Sequence, residues 1–220
     1  MKIRAFIFDL DGTLVDTKKD LANAVNYSLR KHGFKERSLD EIVSYLGNGS
    51  NVLINKAIGH EVDEELFKSV FDTYVNYYYD NVAVESTTYE GMNEVIDELK
   101  KKGMLVMCLT NKPMKPTEEL IDKLFKGQFD YVLGNSKDIP TKPSTVGINM
   151  IFKKFNLKPE EVVYLGDSDV DMILADNAKI EKKVACSYGY RPLKELMAYN
   201  PYKIIKSPKE ILDLDLLKKC

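Results

Sequence analysis

The chain has 220 residues, 44% of them hydrophobic, enough to bury a full core and a second, smaller one. Its 32 lysines and arginines stand against 34 aspartates and glutamates, and a net charge of −2 leaves no electrostatic footprint for nucleic acid or an anionic membrane. No stretch approaches the roughly 18 unbroken apolar residues of a membrane span, and the scattered Cys108, Cys186 and Cys220 read as reduced thiols of a cytoplasmic protein.

The first apolar run, residues 3–8, is closed by Asp9 too early to be a signal-peptide core. In "FIFDLDGTLVDT", Phe6, Ile7 and Phe8 read as a buried strand, and Gly12 permits a sharp turn. If the chain stays extended through Asp11, the side chains of Asp9 and Asp11 point to one side. Two carboxylates that close repel each other unless a proton or a cation is shared between them.

From about residue 17 to 83 the periodicity is helical, with no convincing strand. Ala24, Tyr27, Ser28 and Lys31 fall on one helix, and Leu66, Val70, Phe71, Tyr74 and Tyr78 make the apolar face of another. This stretch reads as a helical insert over the carboxyl edge of a sheet, and Tyr77, Tyr78 and Tyr79 read as packing at a helix end. His32 and His60 have no metal-ligand spacing and take no role.

Beyond the insert, strands expected at 104–109, 130–133, 162–165 and 184–187, with an edge strand at 204–205, alternate with helices at 90–102, 115–125, 146–155 and 193–198. That alternation predicts a parallel α/β sheet, whose ligand crevice lies beyond the carboxyl ends of its strands. Polar groups collect at those ends. "MCLTNKP" closes its strand at Thr110 and Asn111, a hydroxyl and free N–H groups suited to an oxyanion. "IPTKPS" sets Lys142 before Pro143, which suits the first position of a helix. "VVYLGDSDVDM" delivers Asp167, Asp169 and Asp171, with Asp167 and Asp171 on one face of a first helical turn. Neither acidic cluster has the glycine and glutamate of an EF-hand, and no P-loop is present. Hard carboxylate oxygens suit Mg²⁺, and a lysine with a threonine hydroxyl suits the oxygens of a phosphate ester. A cation shared by Asp9 and Asp11 would then answer their repulsion.

Four motifs, "DLDGT" at 9–13, Thr110 in "LTN", Lys142 in "TKP" and "GDSDVD" at 166–171, resemble in order those of the haloacid dehalogenase superfamily. Within it, "YLGNGSNVL" at 45–53, "TNKP" and the late "YGY" resemble the phosphoglycolate phosphatase group. Two positions depart from the family pattern: Ser144 and Thr145 follow the motif's Lys-Pro where a second proline is usual, and Lys179 stands where glycine is usual.

The resemblance implies a doubly wound parallel sheet of Rossmann type over residues 1–16 and 84–220, with a small α-helical cap at 17–83. It implies a Mg²⁺-dependent phosphatase acting on a small phosphate monoester through an aspartyl-phosphate. Asp9 then corresponds to the nucleophile and a metal ligand, and Asp11 to the general acid/base with its backbone carbonyl on the metal. Thr110 and Lys142 correspond to the phosphoryl-binding pair, with Asn111 beside them. Asp167 corresponds to a further metal ligand, and Asp171 to an outer carboxylate. The cap loop Gly47, Asn48, Gly49 and Ser50 is expected to select the substrate, two glycines allowing close backbone approach. A sugar phosphomutase, a pyrophosphatase or a nucleotidase would carry the same motifs. A phosphonatase would need a Schiff-base lysine in the cap, for which Lys56 is the nearest candidate. A dehalogenase would lack the second aspartate, and a non-catalytic binding protein would show decay of a motif.

Overall fold

In the computed structural model, which describes residues 2–217, the first apolar run becomes the centre of a sheet; Cys220 lies outside the described residues. The strands are β1 (Ala5–Phe8), β2 (Val15–Asp16), β3 (Thr87–Thr88), β4 (Leu105–Pro113), β5 (Tyr131–Asn135), β6 (Val162–Gly166), β7 (Lys182–Cys186) and β8 (Lys203–Ile205). The helices are α1 (Lys18–Lys31), α2 (Leu39–Tyr45), α3 (Ser50–Ile58), α4 (Glu64–Asp80), α5 (Met92–Lys101), α6 (Met114–Phe125), α7 (Val146–Phe155), α8 (Asp169–Asn177) and α9 (Leu193–Met197). No described helix is long and apolar enough to cross a membrane.

Six strands pair in parallel in the order β5-β4-β1-β6-β7-β8. Side chains alternate across β1: Phe6 and Phe8 join the core on one face, Ala5 and Ile7 that on the other. On the Phe6 side lie Val95 and Ile96 of α5 and Leu120 and Ile121 of α6; on the Ile7 side lie Ile148 and Ile151 of α7 and Leu174 of α8. Both faces are therefore covered, as the fully apolar strands require. The chain crosses from one side of β1 to the other between β4 and β6, which opens a crevice at the carboxyl end of β1.

The chain leaves the sheet through β2 and returns through β3, which pair antiparallel with Val15 opposite Thr88 and Asp16 opposite Thr87. Four helices, α1 to α4, lie between. Ser38 and Glu41 close a capping box on α2, and Asp63 accepts the Leu66 amide to start α4. The Ser28 hydroxyl of α1 donates to the Val70 carbonyl of α4 at 2.6 Å, and Tyr27 stacks on Tyr77 at 4.2 Å between ring centroids.

Three local expectations are corrected. Helix α7 starts at Val146, so Pro143 is not its first residue; it sits in the preceding turn behind a cis Lys142–Pro143 peptide. Strand β4 continues past Thr110 to Pro113 because Pro113 pairs with Asn135 of β5. Asp167 precedes α8 because Ser168 takes the cap position, where it and Asp171 form a capping box. Lys179, where glycine is usual, adopts the left-handed conformation itself, with φ 59°.

The return from the insert is anchored by one buried acid. Asp20 of α1 accepts the amides of Val84 (3.1 Å), Glu85 (2.9 Å) and Ser86 (2.9 Å) and the Ser86 hydroxyl at 2.5 Å. Replacing it leaves the buried Ser86 amide and hydroxyl unpaired, at about 1–3 kcal/mol for each such group. Asp20→Ala should therefore lower the unfolding free energy by roughly 2 kcal/mol or more, read as a reduced urea midpoint at unchanged slope.

Candidate active site

The carboxyl ends of β1, β4 and β6 bring the sequence-predicted polar residues together. Asp9 follows β1, its amide donating to the Leu165 carbonyl at 2.9 Å, and its carboxylate is buried. Lys142 arrives from the loop before α7 and is buried as well. Its Nζ lies 2.7 Å from Asp9 Oδ1 and 2.7 Å from Asp171 Oδ1, bridging two acids that would otherwise repel. Asp171 also accepts from the Tyr164 hydroxyl (3.0 Å) and, through Oδ2, from the Ser168 hydroxyl (2.6 Å) and amide (3.2 Å). Both of its oxygens are engaged.

Asp167 accepts the Tyr190 amide at 2.6 Å and the Thr13 hydroxyl at 3.3 Å. It presses against the turn after β1, where Gly12 (φ 86°) leaves no space for a Cβ: one there would stand 2.3 Å from Asp167 Oδ2. Ligand oxygens of Asp9, Asp167 and Asp171 lie within 4.8 Å of one another, all three residues buried. Asp9 Oδ1 has Lys142 as a charge at 2.7 Å but no hydrogen bond directed at it.

These charges do not balance. Three buried carboxylates face the single ammonium of Lys142. Burial, then Asp171, pushes Asp9 up to about 7, and burial with Asp9 and Asp171 drives Asp167 well above the usual carboxylate range. Burial opposes the charge on Lys142, yet Asp171 and Asp9 outweigh it and hold the ammonium well above its ordinary pKa. A divalent cation among the acids removes the imbalance, and an undirected, buried carboxylate oxygen is the ligand it would use. The donor set, all hard oxygen, fits such an ion.

Asp11 stands apart from this cluster, which corrects the shared-cation expectation. Its carboxylate turns away from Asp9 to Lys112, whose Nζ donates to Oδ1 at 2.9 Å and Oδ2 at 3.0 Å, while the Thr17 hydroxyl donates to Oδ1 at 2.6 Å. Each aspartate of the opening motif thus has its own lysine. Lys112 was missed: the pairing of β4 with β5 shifts register between Leu109 and Pro113, so alternation carries no signal for it. The Asn111 side chain is engaged with backbone. Its amide donates to the carbonyls of Gly47 (3.0 Å) and Lys142 (3.2 Å) and accepts the Lys142 N–H at 2.5 Å. Its side chain braces backbone at the edge of a chamber whose lining includes Asn111.

Asp9, Asp11, Thr110 and Lys112 floor a chamber of about 50 Å³, roofed by Gly47, Gly49 and Ser50 and by Tyr74, Tyr78 and Tyr79 of α4. That is space for a few water-sized groups. Asn48, expected to select substrate, lines instead an open cleft on the outer side with Lys56 and Arg191, turned outward between Gly47 (φ 98°) and Gly49 (φ 85°). Arg191 donates to the carbonyls of Ser44 (3.0 Å) and Leu46 (2.7 Å), so it and Asn111 pin the loop to the sheet edge from both flanks. Tyr190 and Arg191 follow β7, and only the folded chain reveals their contacts.

The raised Asp9 pKa has a definite sign. A carboxyl lifted from 3.8 to about 7 contributes stability that is complete below about pH 4 and lost as the pH rises through about 7. In chelator, the melting temperature of the wild type relative to Asp9→Asn should fall by roughly 3 °C or more between about pH 5 and 8. A divalent cation at pH 8 should reverse that fall in the wild type and do little in Asp9→Asn. Differential scanning fluorimetry of both proteins checks it.

Comparisons with known proteins give the chain's relatives. The family model for haloacid dehalogenase-like hydrolases matches residues 6–185. The phosphoglycolate phosphatase of Colwellia psychrerythraea is 32% identical over 213 residues, 94% of each chain, and that of Vibrio parahaemolyticus is 30% identical over 96% of each. The crystal structure of a predicted phosphoglycolate phosphatase from Haemophilus somnus superposes with a TM-score of 0.90 at 27% identity, covering 97% of this chain and 98% of that one. The chain belongs to the haloacid dehalogenase-like hydrolase family.

Proposed function

We propose that the protein is a Mg²⁺-dependent phosphatase that hydrolyses a small phosphate monoester through an aspartyl-phosphate on Asp9, with 2-phosphoglycolate the favoured substrate. The observation that carries this reading is the buried Asp9 oxygen without a directed hydrogen bond, set between Lys142 and two further acids at the floor of a small chamber. The relatives named phosphoglycolate phosphatase, matched over nearly their whole length, support the substrate.

In this reading Asp9, Asp167 and the Asp11 backbone carbonyl hold Mg²⁺, which supplies positive charge for the transferring phosphoryl group. Thr110 and Lys142 hold the other phosphoryl oxygens, and Asp171 keeps Lys142 in place. Asp9 bonds to phosphorus as the ester P–O bond breaks, and the leaving oxygen takes a proton from Asp11. Water then attacks the same phosphorus, gives its proton to Asp11, and the Asp9–phosphorus bond breaks to release inorganic phosphate. Asn111 acts by bracing Lys142 rather than by touching phosphate. Residues 17–83 act as a cap over the chamber, with Gly47, Gly49 and Ser50 as the part that meets the leaving group. Lys56 stands over the Tyr45 ring at 6.0 Å and lines the outer cleft, which argues against a phosphonatase. The free, buried thiols of Cys108 and Cys186 suit a cytoplasmic setting.

Phosphate release from a panel of small esters, with Mg²⁺ and with chelator, tests the reading. Activity should require the metal and vanish in Asp9→Asn. Asp11→Asn should lose about 10²- to 10⁴-fold in turnover and, on p-nitrophenyl phosphate, accumulate phosphoenzyme visible by intact mass. Unchanged turnover in Asp9→Asn would refute the covalent path.

A further inference from the structure

Lys112 is a buried ammonium with one anionic partner among the described contacts, and that partner is needed elsewhere. Its side chain is 2% exposed, and both of its hydrogen bonds run to the Asp11 carboxylate. The Thr17 hydroxyl takes a third position on the same carboxylate, so Asp11 is held back from a substrate above Asp9. To serve the leaving group, Asp11 has to give up Lys112. An ammonium so abandoned beside apolar walls would be a buried, unpaired charge, which is strongly unfavourable.

The surroundings of Lys112 indicate what replaces Asp11. Its Nζ faces the Tyr78 ring 4.8 Å from the centroid, and Lys112 and Tyr78 both line the chamber in which the leaving group would sit. The Tyr78 hydroxyl is buried and has no hydrogen-bond partner. An ammonium and an unused hydroxyl on one small chamber form a site for a compact anion, and a carboxylate carried by the leaving group would bring one.

We propose that Lys112 is the specificity-determining residue, reading the charge of the leaving group by exchange: it gives up the Asp11 carboxylate for a carboxylate on the substrate, and the released Asp11 takes up a proton from solvent and turns to the ester oxygen. Apart from the O–H bond that Asp11 gains in this way, only hydrogen bonds are exchanged, and the count of buried charges paired to Lys112 stays constant. The proposal rests on the phosphatase reading above and adds a consequence that simple attraction lacks. Attraction alone would lower KM for an anionic substrate, whereas exchange raises kcat, because only the anionic leaving group frees Asp11.

The experiment compares 2-phosphoglycolate with O-phosphoglycolamide, its neutral isostere, under Mg²⁺. A charged hydrogen-bonded contact sets the scale at about 10- to 100-fold. The wild type should show a kcat ratio of at least about 10 in favour of the carboxylate. Lys112→Met should bring the ratio to within about threefold of unity, and Lys112→Arg should restore part of it. A wild-type kcat ratio near one overturns the exchange, and this arm needs no variant to fold. A preference confined to KM, or one retained in folded Lys112→Met, overturns it equally. Phosphate release from 2-phosphoglycolate by the wild type separates the two levels: its presence with no carboxylate preference defeats only the exchange, and its absence defeats the phosphatase reading and the exchange together.

Discussion

The ammonium of Lys142, 2.7 Å from both Asp9 and Asp171, is the contact on which the site depends. An ion so deeply buried is tolerated only where its partners are fixed, because loss of either would strand a charge away from water. Each partner is fixed accordingly. Asp171 is held by Tyr164 and Ser168, Asp9 is fastened to β6 through its amide, and Lys142 itself is held at both backbone groups by Asn111. Gly166 completes the arrangement by lacking a Cβ, which would stand 2.3 Å from that of Asp171. Residues from three strand ends are thus committed to placing one nitrogen.

A second lysine gives the site its asymmetry. Asp9 and Asp11 come from one motif, yet Lys142 engages the first and Lys112 the second. The first pair lies among further acids and suits a metal and phosphoryl group. The second lies beneath aromatic rings of α4 and suits the leaving group. Physical separation of the two carboxylates separates their proposed chemistry. The Asn111 and Arg191 bonds to carbonyls of residues 44–47 bring the helical insert to this second pair, and backbone acceptors make that attachment independent of the loop's side chains.

Much of the fold was legible because it follows from local pattern. The apolar run ending at Asp9, the strand end at Gly166, and helix α7 at residues 146–155 are all read from short-range periodicity. The polar groups at Asp9, Thr110 and Asp167 were legible because they follow or lie in such strands, and Lys142 because it sits before a helix. What escaped depends on contacts between distant segments. Lys112 finds Asp11 101 positions away, and Asn111 meets Gly47 64 positions away. The outward turn of Asn48 follows from two left-handed glycines, whose positions were visible but whose handedness was not. Ser168 displaced the expected start of α8 because a capping box outcompeted a helical turn holding both acids.

The central claim is that the buried Asp9 and Asp167 hold more protons than free carboxylates would, and surrender them to a divalent cation. Calorimetric titration of Mg²⁺ into the metal-free protein at about pH 6, in buffers of differing ionisation enthalpy, counts those protons directly. Asp9, pushed up to about 7 by burial, is mostly protonated at that pH. The account predicts release of about one proton or more per bound cation in the wild type, and a release smaller by about one in Asp9→Asn. Cation binding without proton release in the wild type, or release undiminished in Asp9→Asn, would contradict it.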